Sequence, residues 1–131
     1  MSIGLDEIDQ PVRQRAASGR GERPPTILLV DGCAENMKVV ATLLETEGYD
    51  VRTARDGRMA LKRAARIMPD LILMDALMPM IDGFETCRHF KADPRLQQIP
   101  VIFLTVLNSP KDLRKAFDIG AVDYLIKPVQ E

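Results

Sequence analysis

Three apolar runs constrain this chain most: TILLV at 26–30, LILM at 71–74 and VIFL at 101–104. Each has the length of a strand, and none alternates polar with apolar residues. A strand reads that way when both of its faces are covered, as in the centre of a parallel sheet. Two weaker runs, YDVRTA at 49–54 and AVDYLI at 121–126, complete a set of five. The first of these alternates and so reads as an edge strand.

Between the strands lie segments of helical period. In AENMKVVATLLETEG (34–48), Met37, Val40, Ala41 and Leu44 share a face, and Gly48 marks the stop. DGRMALKRAARI (56–67) has Asp56 as a cap and an apolar face of Leu61, Ala64 and Ala65. DGFETCRHF (82–90) opens on Asp82, with Glu85 three residues on, the pattern of a capping box. SPKDLRKAFDIG (109–120) places Ser109, Pro110 and Asp112 at the cap, first-turn and third positions. Leu113, Ala116 and Phe117 form its apolar face, and Gly120 ends it. Strand and helix alternate without an internal repeat. Right-handed crossovers then make an α/β fold, a doubly wound five-stranded parallel sheet with helices on both faces.

A length of 131 residues supports one domain. The net charge is −1, with neither a basic stripe nor an acidic tail, which argues against direct contact with nucleic acid or a membrane surface. No apolar run approaches the roughly 18 residues of a membrane helix. The opening MSIGLDEIDQ carries acids where a signal peptide has its apolar core, so a cytoplasmic location is expected. Residues 1–25 read as a flexible tail: RQRAASGRGERPP has no period, and Pro11 cuts off the short apolar element of Ile3, Leu5 and Ile8. The domain proper is residues 26–131. Cys33 and Cys87 match no zinc spacing and read as reduced thiols. His89, among charged neighbours on its helix, reads as a surface residue.

Ligands of open parallel sheets bind beyond the carboxyl ends of the strands. Asp31 follows strand one, Asp75 strand three, Thr105 strand four and Lys127 strand five. Singly, each has an ordinary reading as a cap, a strand residue or a turn. Together they bring two acids, a hydroxyl and an ammonium to one crevice. A carboxylate pair attracts a hard cation such as Mg²⁺. An Asp carboxylate can itself take a phosphoryl group, and phosphoryl transfer asks chiefly for positioning and charge neutralisation.

The segments ILLVDG, LILMDALMPMIDGFE, IPVIFLT and GAVDYLIKPV resemble the receiver domains of two-component response regulators, from about Thr26 to Val129. The resemblance implies the flavodoxin-like strand order 2-1-3-4-5. It also implies a signalling switch rather than an enzyme, one that at most catalyses its own phosphorylation and dephosphorylation. In that family's terms Asp75 is the phosphoacceptor, and Asp31, Asp75 and the backbone carbonyl of Leu77 hold Mg²⁺. Lys127 contacts the phosphoryl group, Thr105 and Tyr124 form the switch pair, and the peptide before Pro128 is cis. The implied partners are a histidine kinase or phosphotransfer protein upstream and an output domain or protein downstream.

Two departures stand out. The family carries two adjacent acids after strand one, and here the second position is Gly32. Either Mg²⁺ binds more weakly through Asp31 and Asp75, or the domain is a pseudo-receiver that serves only as a protein-interaction module. Glu35, a turn away, is a weaker substitute for the missing acid, since an acid in a first turn is ordinarily there for the helix dipole. Val106 stands where the family prefers a smaller residue. Leu77 and Leu107 do not help position an attacking water, so slow dephosphorylation is expected. The second departure is the missing fifth helix, as though the domain were truncated after strand five. An apolar face without that helix looks for cover: from the rest of a longer protein first, from a homodimer second, from the N-terminal segment third. A flavodoxin-like cofactor binder on the same architecture would need a phosphate loop after strand one, where DGCAEN offers an acid instead.

Overall fold

The computed structural model describes residues 8–12, 23–78, 81–105, 107 and 109–126. In chain order, the elements from Thr26 onward are β1 (Thr26–Val30), α1 (Ala34–Thr46), β2 (Asp50–Ala54), α2 (Gly57–Ile67), β3 (Leu71–Met74), α3 (Gly83–Ala92), β4 (Val101–Thr105), α4 (Pro110–Ile119) and β5 (Asp123–Ile126). The strands form one sheet in the order β2-β1-β3-β4-β5, and every pairing is parallel. This is the doubly wound sheet expected, with the alternating strand β2 at an edge. Every residue of β1, β3 and β4 is buried, because helices on both sides leave these strands no wet face.

Strand parity divides the core in two. Leu28, Val30, Ile72, Met74, Val101, Phe103 and Tyr124 point to one face and pack under α2, α3 and α4 through Ala60, Ala64, Phe84, Cys87, Phe90 and Ala116. Ile27, Leu29, Leu71, Leu73, Ile102 and Leu104 point to the other and meet Val40 and Leu44 of α1. At the entry end of the sheet, the buried Asp70 accepts the Thr26 N–H at 2.8 Å, while its own N–H donates to the Thr26 carbonyl at 2.8 Å. That pair fixes the register of β1 against β3.

The helix boundaries follow local chemistry. Asp56 accepts the Met59 N–H at 2.9 Å. Asp82 accepts the Glu85 N–H at 2.8 Å, while the Glu85 carboxylate pairs with Arg88 and with His89 on the exposed side of α3. Ser109 accepts the Asp112 N–H at 3.1 Å, and Pro110 begins α4. Gly48 and Gly120 stop their helices at φ +96° and +116°, a region closed to most side chains. Two facial assignments shift. The inner face of α2 centres on Ala60 and Ala64, with Leu61 and Ala65 flanking it, and Phe117 of α4 is 47% exposed rather than part of the core.

The N-terminal region departs from the tail expected for residues 1–25. Residues 8–12 are helical, and Ile8 and Val12, four apart on one face, are completely buried in the cluster of Ile27, Leu29, Val40 and Leu44. Pro11 does not prevent this, because its fixed φ is itself helical and it withholds only one N–H. Apolar burial at about 1.5–3 kcal/mol per large side chain outweighs the weak local signal. Among the described residues, α1 and residues 8–12 pack against this face.

Two measurements check this packing. Replacing Ile8 and Val12 together by Ala is expected to lower unfolding free energy in urea by about 3 kcal/mol or more; a change under about 0.5 kcal/mol would show that the segment does not dock. Burial raises the Cys87 thiol pKa to about 11, against smaller opposing effects of Lys91 and Arg88, whereas Cys33 is exposed. Native protein should therefore take one alkyl group, on Cys33, and a second only once unfolded.

Candidate functional site

The parallel ladder runs one residue past the strands on the carboxyl side. The Asp31 N–H donates to the Ala54 carbonyl at 3.1 Å, and the Asp75 N–H donates to the Val30 carbonyl at 2.9 Å. The ends of β2, β1 and β3 thus lie at one level, with Asp31 and Asp75 on adjacent strands. Both acids are buried, at 3% and 9% exposure. Thr105, the last residue of β4, is fully buried next to β3. The parallel pairing thus sets Asp31, Asp75 and Thr105 at the same end of neighbouring strands. Lys127 and Pro128 lie outside the described residues, as does Val106.

The two acids share a local geometry. Asp31 Oδ1 accepts the Cys33 N–H at 2.8 Å, and Asp75 Oδ1 accepts the Leu77 N–H at 3.0 Å. Each carboxylate closes an Asx turn onto the backbone two residues on. That turn orients the acid and carries the chain out of its strand. Leu77 itself is half-exposed at the rim. α3 begins directly behind Asp75: the Gly83 N–H donates to the Ala76 carbonyl at 2.9 Å. A Cβ on Gly83 would collide with the Asp75 carbonyl oxygen, so only glycine allows this approach.

Tyr124 faces Phe103 across the β4–β5 pairing, two residues before Ile126, the register partner of Thr105. Its ring is turned inward, 8% exposed and 6.1 Å from the Phe103 ring centroid. Its hydroxyl donates to the Leu107 carbonyl at 2.5 Å, and the Leu107 N–H donates back to Thr105 Oγ1 at 3.4 Å. Tyr124, Leu107 and Thr105 thus form one hydrogen-bonded chain. Burial, then the charges of Asp112 and Asp75, raises the Tyr124 phenol pKa to about 12.

Two acids and a backbone carbonyl are a sparse set for a cation, and among the described residues no group of three or more His, Cys, Asp or Glu could hold a metal ion. Mg²⁺ nonetheless takes only one or two protein carboxylates, filling its octahedron with water and phosphate oxygens. Asp31 and Asp75 fit that demand, and Gly32 offers no third carboxylate. Glu35 is an exposed first-turn residue of α1.

One charged residue at the rim escaped sequence reasoning. Arg55 follows β2, and its Nη2 donates to the Gly32 carbonyl at 3.1 Å, across the loop where the second acid would stand. Its position, at the same sheet end as Asp31, was the available signal. An exposed arginine after an edge strand is otherwise unremarked.

The model of the response regulator receiver domain matches residues 27–131. Response regulator PleD of Caulobacter vibrioides is 43% identical over 105 residues, covering 80% of this chain and 23% of that protein. The DNA-binding dual master transcriptional regulator RpaA of Synechocystis is 41% identical over 104 residues, 79% of this chain and 43% of that protein. The chain thus spans less than half the length of these relatives. Among solved structures, chemotaxis protein CheY4 of Vibrio cholerae superposes with a TM-score of 0.78 at 32% identity, covering 82% of this chain and 89% of that one. The BeF3-activated receiver domain of Klebsiella pneumoniae RstA gives 0.74 at 30%, covering 80% and 87%. Among the described residues no helix is long and apolar enough to cross a membrane. With its matching segments, its strand order and its paired acids accounted for together, the chain belongs to the response regulator receiver domain family.

Proposed function

We propose that this domain is a phosphorylation-dependent switch whose acceptor is Asp75. The observation that carries the reading is the pair of buried carboxylates, Asp31 and Asp75, brought to one level by the parallel ladder in a chain of this family. The donor is a phosphohistidine on a histidine kinase or phosphotransfer protein. An oxygen of the Asp75 carboxylate attacks phosphorus, the P–N bond breaks, and its electron pair stays on the imidazole. The Leu77 N–H holds Asp75 Oδ1 in place for the attack. Asp31, Asp75 and the Leu77 carbonyl would hold Mg²⁺, which when bound neutralises charge on the phosphoryl oxygens. Thr105 donates its hydroxyl to a phosphoryl oxygen, and the Lys127 ammonium would offset the phosphoryl charge.

The switch runs through the hydrogen-bonded chain at the edge of the sheet. When Thr105 turns toward a phosphoryl group, its contact with the Leu107 N–H is lost. Leu107 in turn carries the acceptor for Tyr124. The inward ring and the end of β4 therefore shift as a unit, altering the surface of α4 and β5 read by an output domain or partner. Phosphorylation works here by favouring one member of an existing balance.

A second reading is favoured by one observation, the glycine at position 32. In a pseudo-receiver the domain docks partners without phosphoryl transfer or a metal.

Intact-mass measurement after incubation with acetyl phosphate and Mg²⁺ separates the two. Wild type should gain one phosphoryl group, and Asp75→Asn should gain none. No adduct in wild type at high Mg²⁺, with an adduct restored by Gly32→Asp, would establish the pseudo-receiver. A second measurement reads the switch residue. The fold holds the Tyr124 proton more tightly than the unfolded chain does. Its contribution to stability is thus complete below pH 10 and lost as pH rises from there to about 12. Tyr124→Phe should remove that alkaline decline; an unchanged decline would place Tyr124 elsewhere.

A further inference from the structure

We infer that Arg55 stands in for part of the cation chemistry at the site, making it less dependent on a divalent ion and more receptive to an anionic phosphodonor. The inference rests on Asp75 being the acceptor.

Three observations converge on it. Gly32 occupies the position of the second acid, so the pocket has lost one negative charge that would hold a metal. Arg55 Nη2 is fastened to the carbonyl of that same residue at 3.1 Å, which brings a permanent positive charge to the rim just where the negative one is missing. The attachment is short and rigid at its base. Arg55 follows Ala54, and the Ala54 carbonyl accepts the Asp31 N–H at 3.1 Å. The guanidinium therefore spans from the end of β2 to the loop after β1, at the carbonyl of the residue that follows the buried Asp31.

The electrostatic consequence has a definite sign. Glycine in place of an acid leaves the site one charge more positive, and the Arg55 guanidinium adds its own positive charge at the rim. A divalent cation is repelled by that change, and a phosphoryl donor, which arrives with negative charge, is attracted. Arginine suits this role because it stays charged at all working pH, is weakly hydrated, and presents several N–H groups in a plane that matches phosphate oxygens. From its place on the Gly32 carbonyl it acts through space, as a positioning residue for the donor. It would contact the donor only when one is bound.

A merely structural brace between two loops would behave differently. Its loss would loosen the pocket and weaken every ligand together. A compensating charge makes the two ligands move in opposite directions, because it repels one and attracts the other.

The test uses wild type, Arg55→Ala and Arg55→Lys. MgCl2 is titrated calorimetrically into each, and adduct formation with acetyl phosphate is followed by intact mass with Mg²⁺ and with EDTA. Arg55→Ala is expected to bind Mg²⁺ roughly three- to tenfold more tightly than wild type, the scale of one partly screened charge at close range. The same variant should show a raised KM for acetyl phosphate and should lose most of any adduct formed in EDTA. Arg55→Lys keeps the charge and should stay near wild type in all of these. Mg²⁺ binding by Arg55→Ala alone supports the inference even where wild type shows none. Unchanged or weaker Mg²⁺ affinity in Arg55→Ala overturns it, as does an unchanged KM. Failure of wild type to accept phosphate under any condition defeats the acceptor role of Asp75 instead, and leaves the metal titration to report on Arg55 separately.

Discussion

Everything at the site depends on the parallel pairing of β1 with β2 and β3. In a parallel ladder all strands end on the same side, so residues just past those ends are neighbours whatever their distance in sequence. The ladder here is extended by one hydrogen bond on each side of β1, through the N–H groups of Asp31 and Asp75. Those two bonds place carboxylates 44 positions apart in the chain on adjacent strands. An antiparallel arrangement of the same strands would send alternate ends to opposite sides. The apolar content of β1 and β3 is what secures the parallel form, since only helix-covered strands can be apolar on both faces.

The cover is unequal. Three helices pack on the face that carries Leu28, Ile72 and Phe103. The other face has α1 and, within the described residues, the helical stretch 8–12. Ile8 and Val12 belong to the same cluster as Leu29, Leu73 and Leu104. Leu29 and Leu73 lie two residues before Asp31 and Asp75, and Leu104 immediately precedes Thr105. The N-terminal segment thus rests on the strands that position the site. Protein cores are close-packed, with few voids to absorb a displacement, so docking or release of residues 8–12 is felt along β1, β3 and β4 before it is felt elsewhere.

The legible parts of this molecule were those governed by local periodicity and strong local signals. Continuous apolar runs identified the three inner strands, and Asp56, Ser109, Gly48 and Gly120 marked helix ends where backbone groups need partners or a left-handed turn. The acids of the site were legible because the ends of parallel strands form a predictable place. What stayed hidden depended on distant packing. Ile8 and Val12 sit among Arg, Gly, Ser and Pro that suggest no structure, and only the exposed apolar face of a sheet assembled later in the chain makes their burial favourable. Phe117 shows the converse: it has helical spacing with Leu113, but a ten-residue helix buries a narrow stripe, here Ala116 with Leu113 and Ile119 partly buried beside it. Arg55 was hidden for a third reason. Its meaning comes from Gly32, 23 positions away, through a hydrogen bond no spacing rule describes.

The Asx turns at Asp31 and Asp75 connect local chemistry to the work of the site. A carboxylate on a strand end would ordinarily sample several rotamers, and holding it for a ligand costs conformational entropy. Here one oxygen of each acid already accepts a backbone N–H at 2.8 or 3.0 Å. That cost is met during folding rather than at binding, which is the meaning of preorganisation. The same hydrogen bonds compensate for burying the acids, which would otherwise be expensive. Gly83 completes the arrangement. Lacking a Cβ, it lets the start of α3 press against the Asp75 carbonyl, so the backbone that carries the acid is held on one side by β1 and on the other by a helix. Orientation of Asp75 is therefore built into the fold and does not await a cation. The loss of an acid at Gly32 bears on how the charge is balanced, and leaves the geometry of the carboxylate intact.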